Sequence, residues 1–159
     1  MIKSITKNDL CKCLNIIHKG YETVAIEFGI TDENAPDRAG ASLPYEKLLS
    51  EFESDVLMFA YYSNDIPVGF LSMKVLDGSA CSITNIVVLP EHRHNGYGVE
   101  LLEYCKQKAR ELCLHKITFG MINDNNRLRR WYEDNGFVNI GYKHYDGAPF
   151  TVGKMECIL

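Results

Sequence analysis

Ile86, Val87, Val88, Leu89, Pro90, Glu91, His92, Arg93, His94, Asn95, Gly96, Tyr97, Gly98, Val99 runs from an apolar strand directly into a glycine-rich helix start. Pro90 ends the strand, and the two glycines at 96 and 98 leave backbone amides uncovered at the junction. Amides at a helix N-terminus, with the helix dipole behind them, favour an anion. A pyrophosphate therefore fits over His94, Asn95, Gly96, Tyr97, Gly98 and Val99, with Arg93 or His94 adding positive charge. Taken alone, the same glycines also fit an ordinary tight turn.

Working outward, apolar residues recur at 98, 101, 102, 105, 109, 112 and 113, which predicts a helix from Gly98 to Leu114 with one buried stripe. Upstream, Val56 to Tyr62, Pro67 to Val75 and Ala80 to Leu89 read as three strands joined by Ser63-Asn64-Asp65 and Asp77-Gly78 turns, an antiparallel meander. Downstream, Lys116 to Ile122 reads as a strand and Asn125 to Asn135 as a helix stopped by Gly136. Phe137 to Tyr145 and Phe150 to Cys157 read as closing strands. At the start, Ile2 to Thr6 alternates like a strand, and Asn8 or Asp9 is the expected cap of a helix carrying Leu10, Cys13, Leu14, Ile17 and Tyr21. Gly29 to Pro44 reads as a long loop before a helix around Tyr45 to Phe52. The order predicts an α/β (α+β) fold: a mixed, mostly antiparallel central sheet of about seven strands with helices on both faces.

A chain of 159 residues with 46% hydrophobic and 24% charged residues fits one soluble domain, 1–159. The net charge of −4 gives no electrostatic case for nucleic acid. No apolar run approaches the ~20 residues of a membrane span, and Met1 to Leu10 lacks a signal-peptide core, so a cytoplasmic protein is expected. The six cysteines (11, 13, 81, 105, 113, 157) lack the two-residue-spaced pairs of a structural zinc site, and His92 and His94 have no further ligands near them in the sequence. No metal is expected, and the thiols read as reduced.

Two other phosphate loops fit poorly: a Walker loop requires Gly-Lys-Ser or Gly-Lys-Thr, and a dinucleotide fingerprint wants glycine where Leu101 stands. Arg93, His94, Asn95, Gly96, Tyr97, Gly98, preceded by Pro90, resembles instead the acetyl-CoA signature of the GNAT superfamily of N-acetyltransferases. That signature is Arg or Gln, two residues, Gly, one residue, then Gly or Ala. Asn125 to Phe137 resembles the superfamily's second motif, an Asn followed seven residues later by Tyr and closed by Gly-Phe. Seven residues is close to two helical turns, which puts Asn125, Leu128 and Tyr132 on one face; a plain core stripe of Leu128, Trp131 and Tyr132 has the same spacing. The resemblance extends over most of the chain, Ile2 to Ile158.

The resemblance implies acetyl-CoA as co-substrate, lodged between splayed strands, its pantetheine arm paired with the backbone of Ile86 and Val88. It implies Ile86, Val87, Val88, the Arg93 to Val99 turn and Asn125 as cofactor-binding residues, and Tyr132 as general acid. The acceptor is then an amine of a small molecule or peptide, and the closing strands offer a route to a homodimer. A lysine-like amine is neutral about once in 2,500 molecules at pH 7, a cost of roughly 4.6 kcal/mol that a base or water chain must offset. Many superfamily members place a glutamate where this chain has Gly120. Thr84 and Asn85 are not bases, which leaves a water route or Glu27, Asp32 and Glu33. The missing glutamate keeps open a second function, a non-catalytic acyl-CoA sensor.

Overall fold

Asn64 and Asp65 both take positive φ, 50° and 62°, the conformation of a tight hairpin turn whose twist suits flanking strands. They join β2 (Val56–Ser63) to β3 (Ile66–Val75), and β4 (Ala80–Val88) completes the meander. With β1 (Ile2–Ser4), β5 (Lys116–Ile122), β6 (Val138–His144) and β7 (Thr151–Ile158) these make one seven-stranded sheet, in the order β1-β2-β3-β4-β5-β7-β6. Every neighbouring pair is antiparallel except β4 and β5, which run parallel. The computed structural model describes residues 1–35 and 40–159. Four helices pack on the sheet: α1 (Leu10–Phe28), α2 (Tyr45–Phe52), α3 (Tyr97–Glu111) and α4 (Asn126–Asp134).

Phe70 pairs with Val87 and Gly69 with Val88, so alternation sends the first pair to one face of the sheet and the second to the other. Val87 meets Gly20 of α1, whereas Gly69 meets Leu101 of α3. Helices thus cover both faces, as the pattern predicts, and Ile16, Ile17, Phe70, Leu71, Met73, Leu101 and Leu102 are fully buried between them.

Some boundaries differ from the sequence reading, each for a local reason. Asp9 is the N-cap of α1, as expected, but its carboxylate turns back to accept from the N–H and hydroxyl of Thr6 (2.8 and 2.7 Å), which caps a 3₁₀ turn over Lys7–Asp9 leading into α1. α1 continues past Tyr21 to Phe28 and stops at Gly29, which sits in the left-handed region at φ 63°. The expected loop after it holds a 3₁₀ turn at Gly40–Ser42, and its residues 36–39 lie outside the described residues. α3 ends at Glu111, three residues early, because Cys113 turns left-handed (φ 57°) and Leu114 N–H donates back to Ala109 O.

Gly20 lies in mid-helix because nothing larger fits: a Cβ there would stand 2.0 Å from Val87 Cγ1. Alanine would add about 1 kcal/mol of helix propensity but overpack a stiff β-branched neighbour, a cost of about 1–3 kcal/mol. Gly20→Ala is therefore expected to be net destabilising by about 1–2 kcal/mol, seen as a lower denaturant midpoint at unchanged slope. A midpoint that stays put would mean that α1 slides aside freely.

Candidate active site

The ladder between β4 and β5 has three rungs, Ala80 with Lys116, Cys81 with Ile117 and Ser82 with Thr118, and then stops. On its other side β4 changes register against β3: Ser72 pairs with Asn85 and Met73 with Ile83, which leaves Thr84 as an extra residue. Such a bulge bends its strand, here just where β4 leaves β5. Ser72, fully buried, fixes the bulge by bonding Thr84 Oγ1 (2.7 Å) and accepting from Asn85 Nδ2 (3.0 Å). The parted strands open onto a cavity of about 740 Å³. Ile83 to Ile86 of β4, Phe119 to Ile122 of β5, Tyr21 of α1, Glu51 of α2 and Tyr132 of α4 stand in its walls.

Leu89 N–H bonds to Val68 O on the β3 side. Alternation along the strand then turns the backbone of Val88 and Ile86 toward the gap. The Ile86 N–H reaches the Tyr21 phenol oxygen, a pull too small to offset burial, which pushes Tyr21 up to about 12. Val87 is buried against α1, and the Val88 carbonyl accepts from Arg93 Nε (3.3 Å).

Beyond β4 a 3₁₀ turn (Pro90–His92) carries the chain into α3. His94 and Gly96 take positive φ (64° and 83°), and Asn95 Nδ2 donates to the carbonyls of His92 (3.0 Å) and Arg93 (3.2 Å), holding the turn's curve. The first helical bond of α3 is Glu100 N–H to Gly96 O, so the N–H groups of Tyr97, Gly98 and Val99 precede it without intrahelical partners. Gly98 gives room to Trp131 of α4, whose ring would lie 3.4 Å from a Cβ there. Tyr97 points away from the turn's mouth, stacked on Tyr61 (4.4 Å) and bonded to Ser63 (3.2 Å).

Arg93, expected to add charge for a phosphate, directs its Nε and Nη2 donors into the fold. Nη2 donates to Gly20 O (2.8 Å) and Thr23 Oγ1 (3.0 Å), tying α1 to the end of β4. Burial, with Arg127 nearby, lowers its pKa.

The two ends of the second motif meet the cavity together. Asn125 is buried and its Oδ1 accepts from Leu128 N–H (3.1 Å), capping α4. Tyr132 is 4% exposed, boxed by Phe119 (4.4 Å), Trp131 (4.8 Å) and Phe137 (5.9 Å). Burial first, then the Tyr21 phenol, push its pKa well above the ordinary phenol value. The 93–99 turn lies outside the cavity walls, past the far end of β4, while Ile86, Asn125 and Tyr132 stand within them.

Gly120 lines the cavity and brings no carboxylate. Of the three acids considered from sequence, Asp32 lines the cavity and bonds Ser42, Glu27 pairs with Arg127 (3.5 Å), and Glu33 is exposed outside it. Two residues were missed as site residues: Tyr21, taken as part of a helix stripe, and Glu51. The signal for Glu51 was its place three residues after buried Leu48, on the inward face of α2. Among the described residues no group of three or more His, Cys, Asp or Glu is placed to hold a metal ion, and no helix is long and apolar enough to cross a membrane.

A family model described as the acetyltransferase (GNAT) family matches residues 21–137. An amino-acid acetyltransferase of Pseudomonas putida is 31% identical over 74 residues, a match that takes in 46% of this chain and 16% of that protein. Among solved structures, an N-acetyltransferase of Thermoplasma acidophilum, paia, in complex with coenzyme A superposes with a TM-score of 0.81 at 18% identity, over 100% of this chain and 98% of that one. A ribosomal-protein-alanine N-acetyltransferase of Brucella melitensis gives 0.74 at 19% identity, over 100% and 99%.

Proposed function

The chain belongs to the acetyltransferase (GNAT) family, and from that premise we propose that residues 1–159 form one domain that moves the acetyl group of acetyl-CoA onto a primary amine of a small molecule or peptide by direct attack. The observation that carries this reading is the parting of β4 from β5 into a cavity that holds Ile86, whose backbone edge no strand of the gap pairs, and the Tyr132 side chain. The residues present fit acetyl-CoA. A glycine at φ 83° followed by three amides ahead of the first helical bond suits a diphosphate, and the edge of β4 past Ser82, where β5 no longer pairs with it, suits an extended arm with amide groups. When bound, acetyl-CoA supplies an activated acyl thioester.

In this reading the amides of Tyr97, Gly98 and Val99 hold the diphosphate, and the Ile86 and Val88 backbone aligns the arm. An N–H of that strand receives the negative charge that builds on the acyl oxygen, a contact type worth about 2.7–4 kcal/mol. The amine lone pair forms the C–N bond as the C–S bond breaks. Tyr132 gives its proton to the departing sulfur, and the ammonium proton leaves through cavity water. Cytoplasmic location, supported by six free cysteines, belongs to the proposal. So does dimerisation over β6, where Val138, Ile140 and Tyr142 are exposed.

The test is release of free thiol from acetyl-CoA with a panel of polyamines, amino acids, aminoglycosides and peptides. Turnover with at least one amine is expected. Tight coenzyme A binding without turnover for every acceptor would replace this reading with that of an acyl-CoA sensor.

A further inference from the structure

Glu51 Oε2 is the one buried side-chain polar atom without a hydrogen-bond partner among the described residues. Folded proteins rarely leave such an oxygen unpaired, because a buried acceptor that has lost water and gained nothing is costly. Burial also raises its pKa, against the opposing pull of Lys47, one turn back on α2, and of Lys74 on β3. Both lysines are exposed, and neither closes an ion pair with it among the described residues. Glu51 stands in the wall of the acceptor cavity, whose other acid is Asp32. The side chain thus borders the space that a substrate enters, with one carboxylate oxygen shut away from solvent and unpartnered.

Its place along the sheet separates it from the reacting centre. Lys74 shares a rung with Ser82, the last rung before the strands part, whereas Ile86 shares a rung with Leu71. Those rungs stand three residue steps apart along β3, about 10 Å at ~3.3 Å per residue. Lys74 acts on Glu51 from the closed end of the gap, so the carboxylate suits a group at the end of the molecule away from Ile86.

Resting on the acetyl-transfer reading, we propose that Glu51 anchors a second ammonium group of the acceptor, so that the preferred substrates are diamine-type cations. One amine is acetylated near Ile86 and the other sits against the Glu51 carboxylate. The remote charge pair orients the chain without taking part in bond making, which makes Glu51 a specificity residue and not a base.

The experiment compares putrescine and cadaverine with butylamine and pentylamine, following thiol release from acetyl-CoA by the full chain. Wild type is expected to favour the diamines by about tenfold or more in kcat/KM. Glu51→Gln is expected to raise the diamine KM by a similar factor, leaving kcat and both monoamine constants in place. Glu51→Asp, charged but shorter, should fall between. An unchanged diamine preference in Glu51→Gln, as expected if the oxygen holds only water, overturns the proposal. So does an equal fall in kcat for all four amines, which would make Glu51 a proton acceptor. Calorimetric binding of putrescine to the coenzyme A complex gives a readout free of turnover: loss in Glu51→Gln supports the anchor, and equal binding removes it. Failure of every amine to react, with putrescine still bound through Glu51, would instead count against acetyl transfer alone. The variant is isosteric and removes an unpaired charge, so its melting temperature is expected to match or exceed that of wild type.

Discussion

Tyr132→Phe is expected to lower kcat by about 10²-fold or more while the affinity for acetyl-CoA stays nearly unchanged, because in the proposed mechanism the substitution removes only the acid. The ring contacts with Phe119, Trp131 and Phe137 survive in phenylalanine, so packing around the cavity is preserved and the loss reports on chemistry. The phenol's environment suits an acid: burial and the nearby Tyr21 hold its pKa above the ordinary value, so it keeps its proton at neutral pH. The sign follows for the pH profile. The protonated form is the active one, and any alkaline decline in kcat due to this group starts above about pH 10 and disappears in the Phe variant. A rate equal to wild type would take Tyr132 out of the mechanism.

Arg93→Met is expected to lower the free energy of unfolding by about 2–4 kcal/mol in the complete absence of coenzyme A. Three donations are lost, to Gly20 O, Thr23 Oγ1 and Val88 O, and hydrogen bonds from a charged group contribute about 1.5–3 kcal/mol each before partial exposure is discounted. Lysine is a poor substitute, since a single ammonium cannot reproduce the guanidinium fork. Chemical denaturation of the ligand-free protein measures this directly. Unaltered stability together with weakened coenzyme A binding would return Arg93 to the phosphate role that its sequence position suggests.

Local signals made most of the fold legible. Asn64-Asp65 and Gly78 marked the meander, Pro90 closed β4, and the α3 and α4 stripes were regular enough to read directly. The glycine turn and the Asn125 to Tyr132 spacing were equally local, since both are written within a few turns of one helix. What escaped depends on residues far apart in the chain. Arg93 reads as a free charge until Gly20 and Thr23, some seventy residues away, are brought against it. The Thr84 bulge has no composition of its own, because a threonine in a strand is ordinary and only its pairing with β3 reveals the extra residue. Glu51 stands beside Leu48 at the border of the apolar face of a short helix, and only the way α2 lies against the sheet buries its oxygen.

The three-rung junction between β4 and β5 divides the sheet into two leaves, β1 to β4 and β5 to β7, each with its own complete set of lateral bonds. Few backbone bonds resist their relative rocking. A molecule lying along β4 and pressed against α4 braces one leaf to the other, so occupancy stiffens the protein as a whole and not the pocket alone. Coenzyme A should accordingly raise the melting temperature of the entire chain in a single transition.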